Sequence, residues 1–399
     1  MELGPAEVDV GIIAAAFLFD DKGQKIEDFV RNSVEDLIGK KGSILEVAQD
    51  VVLYGFGRIG RLLTRMLIED SGGGDNLRLR AIVVRKAVED DLIKRANLMR
   101  TDSVHGPFKG TVRVIEDEDK LIINGNEIKI IYANSPSDID YTKYGIDKAL
   151  LIDNTGVWRD KAGLGTHLNC KGISKVLLTA PAKDGIKNIV HGINNNIMEN
   201  DELLGAASCT TNAIVPTLKV LNDEFDIQSG HIESVHSYTN DQNLIDNYHK
   251  GDRRGRSAPL NMVITSTGAV KAVSKALPEL EGKLSGNAIR VPIPNVSLAV
   301  MNLNLKNSTT RNEFVNFLQF TAFKSKYREI IGYVNSTEIV SSDFYSSPYA
   351  CVIDSQATIV NKNSVTLYVW YYNEYGYSVQ VVNLVKKLAG IKMLRLPIK

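Results

Sequence analysis

Cysteine is scarce in this chain of 399 residues, which has only Cys170, Cys209 and Cys351. The three cysteines include no CxxC pair, and none stands in a cluster with histidine at the spacing of a zinc site. We therefore expect neither a disulfide framework nor a metal site. Such sparing use of cysteine is typical of a protein of the reducing cytoplasm.

Net charge is also absent, because 47 lysine and arginine residues balance 47 aspartate and glutamate residues. This balance gives no indication of a polyanionic partner such as nucleic acid. The first twenty residues contain no lysine or arginine, whereas a secretory signal begins with basic residues. No apolar run approaches the roughly 18 residues that a transmembrane helix needs. We expect a cytoplasmic protein with no nucleic-acid partner and no membrane span.

The length predicts two or three domains, at roughly 100–200 residues per domain. Residues 1–49 form a separate piece, in which residues 10–19 and 26–38 each have a helical pattern. Two short helices cannot bury a core between them. We therefore expect this helical extension to dock on the main body or on another chain.

A strand, a glycine turn, a helix and a second strand follow one another between residues 51 and 84. The turn is Gly55-Phe56-Gly57-Arg58-Ile59-Gly60. In this context a GxGxxG run predicts a dinucleotide site, with the pyrophosphate at the N-terminus of the helix. Gly55 permits the tight turn, Gly57 lets backbone approach the pyrophosphate, and Gly60 lets helix and strand pack closely. The alternative is a glycine turn with no ligand.

The second strand of this unit ends in Arg85 and Lys86, where an NAD site usually has an acidic residue for the ribose hydroxyls. A cation offers no acceptor to the 2′-hydroxyl, but it can pair with the 2′-phosphate of NADP. Alternatively, both side chains are simply solvated. The cofactor is therefore predicted to be NAD or NADP, and the preference stays open.

Beyond Cys209 the pattern changes to longer alternating strands with helices between them. This pattern favours a mixed or antiparallel sheet with helices on one face. The fold class is therefore α/β, with a Rossmann dinucleotide-binding domain at residues 50–207 and an α+β catalytic domain at residues 208–372. A C-terminal helix within residues 373–399 is expected to complete the first domain.

Cys209 follows Ser208, a common N-cap residue, and precedes an apolar helical stretch at residues 213–221. The thiol is thus expected in the first helical turn, where the helix N-terminus lowers its pKa. A thiolate is a competent nucleophile toward an aldehyde carbon. His236, at the end of a strand-like run, is the candidate base, although spacing alone does not select it among six histidines. Cys170 and Cys351 have no such setting and are interpreted as small buried hydrophobes.

A series of motifs resembles, in order, the glyceraldehyde-3-phosphate dehydrogenase family from about residue 50 to the end of the chain. The motifs are YGFGRIGR from residue 54, DSVHG from 102, SCTTN from 208, STGAVK from 266, PEL from 278, RVP from 290, VSSDF from 340 and WYYNEYGY from 370. Residues 1–49 lie outside the resemblance.

The resemblance implies a mechanism for the oxidation of D-glyceraldehyde 3-phosphate. Cys209 would attack the aldehyde, and His236 would take the hydroxyl proton of the hemithioacetal. Inorganic phosphate would then release the thioester as the acyl phosphate 1,3-bisphosphoglycerate. The resemblance also implies a homotetramer and a place in glycolysis or gluconeogenesis.

The resemblance assigns further roles residue by residue. Thr239 and Arg290 match positions that hold the phosphate of the substrate. The positions that hold the attacking phosphate are matched by Ser208, Thr210, Thr267 and Gly268. The cofactor contacts are predicted at Gly55, Gly57, Arg58, Ile59, Gly60, Arg85, Thr155, Gly156, Thr179, Asn373 and Tyr377, with Asn373 orienting the nicotinamide carboxamide.

Several positions depart from the family pattern. Arg85 stands where NAD-specific members carry aspartate, and Asn247 and Tyr248 replace a Leu-Pro pair that reaches the ribose from a neighbouring subunit. Ala213 replaces a second cysteine that many members carry. The alternatives are an erythrose-4-phosphate dehydrogenase, which hydrolyses the thioester with water, and a non-catalytic nucleotide-binding relative. Thr239 favours the phosphorylating enzyme over the former, and intact Cys209 argues against the latter.

Overall fold

The computed structural model describes residues 6–19, 23–39, 45, 47–70, 76–198, 200–391 and 394–396. Within these residues the helices are α1 Val10–Leu18, α2 Ile26–Ser33, α3 Arg58–Glu69, α4 Asp91–Arg100, α5 Lys161–Leu168, α6 Cys209–Phe225, α7 Ala269–Ala276, α8 Arg311–Lys324 and α9 Tyr375–Leu388. Short 3₁₀ turns lie at Glu35–Leu37, Pro136–Asp138, Tyr141–Tyr144, Asn195–Met198, Pro278–Leu280 and Ser341–Phe344.

The strands of the same residues are β1 Ala6–Val8, β2 Gln49–Tyr54, β3 Leu77–Val84, β4 Val112–Ile115, β5 Lys120–Ile123, β6 Asn126–Tyr132, β7 Ala149–Asp153, β8 Ile173–Leu178, β9 Lys187–Asn188, β10 Leu203–Gly205, β11 Ile227–Ser237, β12 Val263–Thr265, β13 Leu284–Val291, β14 Ser297–Leu305, β15 Ile331–Val334, β16 Cys351–Asn361, β17 Ser364–Tyr371 and β18 Leu394–Leu396.

The first large sheet has nine strands in the order β4-β5-β6-β3-β2-β7-β8-β10-β9. It is parallel from β6 to β9, while β4 and β5 form an antiparallel edge. Strand β2 is flanked by β3 on one side and by β7 on the other. The strands that follow β2 in the chain are therefore added first on one side of it and later on the opposite side. In such sheets, ligands bind at the carboxyl ends of the strands beside this switch point. The predicted Rossmann architecture is confirmed.

Helix α3 starts within the glycine turn, at Arg58, and buries Leu63, Met66 and Leu67 against this sheet. The C-terminal helix α9 packs into the same core through Val381 and Val385. The last helix of the chain therefore shares a core with the first sheet.

The second large sheet has seven strands in the order β12-β13-β11-β14-β17-β16-β15. Its pairs are mostly antiparallel, whereas β11 with β13 and β15 with β16 run parallel. Helices α6, α7 and α8 bury their apolar sides against the sheet in a common core. The mixed sheet with helices is as predicted, but strands β12, β13, β15 and β16 were not foreseen.

The N-terminal segment forms two helices, as predicted, and one strand that was not. Helix α1 ends within a residue of the predicted limit, whereas α2 ends at Ser33 and a 3₁₀ turn follows. Strand β1 pairs in parallel with β18, and Val34 and Leu37 form a small core with Leu396. The extension thus docks on the C-terminal strand. None of the described helices has the length and apolarity needed to cross a bilayer.

Candidate active site

Cys209 is the first residue of α6, in the position predicted for it. The Ser208 hydroxyl caps the helix by accepting the Thr211 N–H at 3.1 Å. Before the cap, Ala207 has the left-handed φ of 55°, and its carbonyl accepts the Tyr377 hydroxyl at 3.2 Å. A sharp turn held by a buried tyrosine therefore presents the thiol at the helix start.

His236 lies near the end of β11, with its Nε2 atom 3.6 Å from the Cys209 Sγ atom. Its Nδ1 atom is 2.6 Å from the Ser237 carbonyl oxygen and 2.9 Å from Arg290 Nη1. A carbonyl only accepts and a guanidinium only donates, so each contact requires a different tautomer. When Nδ1–H donates to Ser237, the Nε2 lone pair faces the thiol and can accept its proton.

Burial controls the protonation of this pair. Burial, reinforced by the Arg290 guanidinium, lowers the pKa of His236 to about 4. Burial also raises the pKa of the Cys209 thiol, although Arg290 and Thr210 act in the opposite direction. The prediction of a lowered thiol pKa is therefore wrong for this pocket, because desolvation outweighs the favourable helix start. At neutral pH the pair consists of a thiol and a neutral imidazole.

Tyr371 lies behind the nucleophile and was not identified from the sequence. Its hydroxyl is 3.1 Å from Thr210 Oγ1 and 2.8 Å from Ser234 Oγ, and its ring meets the His236 ring edge-on at 6.0 Å between centroids. An aromatic residue at the end of a strand is indistinguishable by pattern from a core residue. The structure shows that it orients Thr210, whose hydroxyl faces Tyr371.

Two arginines and an aspartate lie around Thr239. Arg290 Nη1 is 3.3 Å from Thr239 Oγ1, the Thr239 hydroxyl donates to Asp241, and Arg254 forms an ion pair with Asp241. Arg254 was not predicted, although it stands in the basic run Arg253-Arg254-Gly255-Arg256. The structure thus gathers two guanidinium groups and a hydroxyl beside His236, the donor set of an anion site.

A second polar pocket lies on the other side of the nucleophile. Ser208 and Gly268 line a cavity of about 120 Å³ together with Lys271. Thr267 Oγ1 accepts the Ala269 N–H at 3.1 Å at the start of α7. The structure therefore brings Ser208 and Gly268 together, while the hydroxyl of Thr210 is directed elsewhere.

A cavity of about 600 Å³ opens at the carboxyl ends of the first sheet, beside the glycine turn. Its lining includes Gly55, Gly57, Arg85, Lys86, Arg95, Thr155 and Trp158. A Cβ atom at Gly57 would meet nothing within 4 Å, so the backbone there is open to a ligand. A Cβ atom at Gly60 would lie 2.5 Å from the Gly55 carbonyl oxygen. Packing alone therefore requires a glycine at this position. This open turn at the N-terminus of α3 fits a dinucleotide pyrophosphate.

The predicted nicotinamide-side residues are held by their neighbours. Asn373 Oδ1 accepts the hydroxyls of Ser237 at 3.0 Å and Ser297 at 3.2 Å, which leaves its amide N–H groups for a ligand. Thr155 is exposed and Gly156 has a left-handed φ of 63° at the loop after β7.

Other predicted cofactor residues have different surroundings. Arg58 directs its guanidinium to Glu374, and Ile59 packs against the core, so both could meet a cofactor only through backbone. Thr179 donates its hydroxyl to the Asp153 carbonyl at 3.1 Å. Arg85 is exposed at the rim of the cleft, and its carbonyl accepts Arg95 Nη2 at 3.0 Å. The Arg85 side chain therefore remains available to a nucleotide.

The fold and the site are those of a nicotinamide-dependent oxidoreductase with a cysteine and a histidine at its centre. A family profile described as glyceraldehyde 3-phosphate dehydrogenase, NAD binding domain, matches residues 49–161, and one described as the C-terminal domain of that family matches residues 208–373. The chain belongs to the glyceraldehyde-3-phosphate dehydrogenase family.

Similar proteins support this assignment. A glyceraldehyde-3-phosphate dehydrogenase-like protein of Pseudomonas aeruginosa is 59% identical over 392 residues, which cover 98% of this chain and 85% of that protein. Glyceraldehyde-3-phosphate dehydrogenase of Borreliella burgdorferi is 38% identical, over 85% of this chain and 99% of that protein. Glyceraldehyde-3-phosphate dehydrogenase 2 of Bacillus subtilis is 38% identical, over 85% of this chain and 96% of that protein. The Pseudomonas match is long enough to include most of the N-terminal extension.

Proposed function

We propose that this chain oxidises D-glyceraldehyde 3-phosphate with NAD or NADP and inorganic phosphate, giving 1,3-bisphosphoglycerate. The observation that supports this most directly is the 3.6 Å approach of Cys209 Sγ and His236 Nε2 beside the guanidinium of Arg290. A nucleophile, its base and an anion site thus share one pocket. This is the set of groups that oxidation of a phosphorylated aldehyde requires.

The reaction begins with a proton transfer within the pair. Cys209 Sγ attacks the aldehyde carbon while its proton passes to His236 Nε2, and His236 returns that proton to the carbonyl oxygen of the hemithioacetal. A bound nicotinamide supplies the hydride acceptor. His236 then takes the hydroxyl proton as the carbon is oxidised, which leaves a thioester on Cys209. General-base catalysis of this kind contributes about 10²–10⁴-fold to a rate.

The last step consumes phosphate. An oxygen of inorganic phosphate attacks the thioester carbon, the C–S bond breaks, and the Cys209 sulfur recovers a proton from His236. In this proposal the Cys209 backbone N–H at the start of α6 would donate to the oxyanion that forms in each attack. Because burial keeps the His236 pKa near 4, this histidine is neutral and ready to accept a proton at physiological pH.

Two anion sites serve the two phosphates in this proposal. Thr239, Arg290 and Arg254 would hold the phosphate of the substrate. Ser208, Thr210, Thr267 and Gly268 would hold the attacking phosphate at the adjoining helix starts. In these roles guanidinium groups, hydroxyls and backbone N–H groups act as donors to a dianion, with Thr210 and Gly268 acting through their backbones.

In this proposal the dinucleotide binds in the cofactor cleft with its pyrophosphate on the glycine turn. Arg85 lies at the adenosine end and Asn373 at the nicotinamide end. The other proposed cofactor contacts are the backbones of Arg58 and Ile59 together with Gly55, Gly57, Gly60, Thr155, Gly156, Thr179 and Tyr377. A homotetramer, a cytoplasmic location and the domain limits at residues 50, 208 and 373 stay predictions.

The test measures turnover of glyceraldehyde 3-phosphate with NAD and with NADP, each with and without inorganic phosphate. We expect oxidation to depend on phosphate or arsenate, and an acyl phosphate to be trapped by hydroxylamine when phosphate is used. Equal oxidation without phosphate, together with turnover of erythrose 4-phosphate, would favour the enzyme that hydrolyses its thioester. Nucleotide binding without any turnover would indicate a non-catalytic relative.

A further inference from the structure

A buried pair of titratable residues lies beneath the cofactor cleft and has no part in the chemistry at Cys209. Asp153 ends strand β7 and His167 belongs to α5, and both are completely buried. The distance from His167 Nε2 to Asp153 Oδ2 is 3.3 Å. Burying such groups is unfavourable unless each has a partner. Among the described residues, neither ring nitrogen of His167 nor Asp153 Oδ2 makes a hydrogen bond, so their approach at ion-pair distance is the polar contact that relates the two side chains.

The other atoms of Asp153 hold the loops that line the cleft. Its Oδ1 atom accepts both the backbone N–H and the hydroxyl of Thr155, each at 2.7 Å. Its backbone carbonyl accepts the N–H of Thr179 at 2.9 Å and the hydroxyl at 3.1 Å. One aspartate therefore fixes the first residues beyond two neighbouring strands.

The position of Thr155 also restricts the space beside the glycine turn. A Cβ atom added to Gly55 would lie 3.0 Å from Thr155 Cγ2, so the threonine methyl group packs directly against this turn. Gly55 also has a left-handed φ of 100°. A shift of Thr155 would consequently change the space in which the turn can approach a pyrophosphate.

The imidazole ring of His167 touches both sides of the cleft floor. Its centroid lies 4.6 Å from that of Tyr54 and 5.1 Å from that of Trp158, and both contacts are edge-on. Tyr54 immediately precedes the glycine turn, and Trp158 follows the Thr155–Gly156 loop. The histidine thus fills the space between the two segments that the cofactor would bridge.

We propose that Asp153 and His167 are positioning residues for the dinucleotide. His167 holds the Asp153 carboxylate in one orientation, Asp153 holds Thr155, and Thr155 sets the geometry of the glycine turn. Neither residue touches the reacting atoms. The inference rests on the proposed dinucleotide function. It states that the affinity of the cleft for the dinucleotide depends on a buried pair that does not line the cleft.

The test compares His167→Leu with His167→Gln. Leucine fills the volume but removes the polar neighbour of Asp153 Oδ2, whereas glutamine keeps a polar group there and offers an N–H to this oxygen. The dissociation constants of NAD and NADP are measured by calorimetry without aldehyde. We expect His167→Leu to weaken binding about tenfold, because removing the polar neighbour of a buried carboxylate leaves the charge that holds Thr155 uncompensated. We expect His167→Gln to recover most of this loss and both variants to keep the alkylation rate of Cys209.

Leu164→Ala is the matched control, because Leu164 is a fully buried residue of the same helix α5. It should lower the melting temperature without changing the dissociation constant of the cofactor. If His167→Leu does the same, and lowers stability alone, the pair is only structural and the inference is wrong.

Asp153→Asn provides a second test, since it keeps an acceptor for Thr155 and removes the charge that an absent histidine would leave unpaired. Its effect on the dissociation constant and that of His167→Leu should not add in the double variant, because the two residues act as one unit. Additive effects would overturn the proposal. A wild-type protein that binds neither NAD nor NADP would instead disprove the dinucleotide function itself.

Discussion

Arg58 binds Glu374 with both carboxylate oxygens engaged, from Nε to Oε1 and from Nη2 to Oε2, each at 2.6 Å. This contact joins the first residue of α3, within the glycine turn, to the segment that carries Asn373. His105 Nε2 and Asn295 Nδ2 also approach Glu374 Oε2, at 2.7 and 2.8 Å. Burial acts to raise the pKa of Glu374, but the hydrogen bonds from Arg58 and His105 hold it below its usual range.

Breaking this contact should destabilise the fold. We expect Arg58→Met to lower the free energy of unfolding by about 2 kcal/mol, because it leaves a buried carboxylate without its main partner. Adding Glu374→Gln should recover part of the loss. Urea unfolding at pH 7 measures both variants. Because the folded-state pKa of Glu374 is depressed, the wild-type advantage should be present above pH 4.5 and decline as the pH falls through the folded value. An unchanged unfolding curve for Arg58→Met would show that the contact contributes nothing.

Replacing the nucleophile should separate chemistry from binding. We expect Cys209→Ser to reduce dehydrogenase turnover at least about 10³-fold, because a serine hydroxyl is a much weaker nucleophile than a thiol. Its dissociation constant for the cofactor should stay within about twofold of wild type. Cys170→Ala is the control, since Cys170 is buried away from His236. Substantial turnover by Cys209→Ser would remove this thiol from the mechanism.

The pH dependence of thiol alkylation should reveal the neutral pair. With the His236 pKa near 4 and the Cys209 pKa raised, the rate of alkylation by iodoacetamide should have no inflection near pH 6.5. It should rise only above the ordinary range of a thiol. Arg290→Gln should move this rise to still higher pH, because it removes a positive charge that opposes the effect of burial.

The same histidine also affects stability. Its folded-state pKa of about 4 lies below the unfolded value of 6.5, so the unfolded chain binds more protons between these values. The contribution of His236 to stability should therefore fall as the pH drops from about 6.5 to 4. A clear inflection of the alkylation rate near pH 6.5 would contradict the low pKa.

Two glycines of one turn should respond differently to alanine. At Gly60 the new methyl group would lie 2.5 Å from the Gly55 carbonyl oxygen, so Gly60→Ala should lower the melting temperature and weaken cofactor binding. At Gly57 the methyl group would meet no protein atom within 4 Å, so Gly57→Ala should keep the melting temperature and weaken cofactor binding only. Thermal unfolding and calorimetric titration distinguish the two. Normal cofactor affinity in Gly57→Ala would place the pyrophosphate elsewhere.

Arg85 should determine part of the cofactor choice. We expect Arg85→Asp to lower kcat/KM with NADP about tenfold or more, since it replaces a partner of the 2′-phosphate with a like charge. Efficiency with NAD should be kept or improved, because aspartate can accept a ribose hydroxyl. Arg113→Asp makes the same charge change on an exposed strand away from the cleft and should affect neither cofactor. If NADP efficiency is unaltered in Arg85→Asp, Arg85 does not bind the 2′-phosphate.

Local patterns identified the elements whose residues interact with near neighbours in sequence. The GxGxxG turn follows β2 and leads into α3, and the Ser208 cap places Cys209 at a helix start, because caps and turns depend on a few adjacent residues. The short strand β1 escaped notice, since its pairing partner β18 lies at the opposite end of the chain.

The sequence by itself determined the opening strand, glycine turn and helix of the first domain and the helix-start position of Cys209, since each follows from side chains within a few residues of one another. Only the tertiary structure decided that the Cys209 pKa is raised, because desolvation depends on atoms from distant segments. The tertiary structure also brings Arg58 into contact with Glu374. It brings Arg254 close to Thr239, because both contact Asp241. The burial of Asp153 and His167 was likewise decided by the tertiary structure, because the two residues meet only once α5 has packed on the sheet that contains β7.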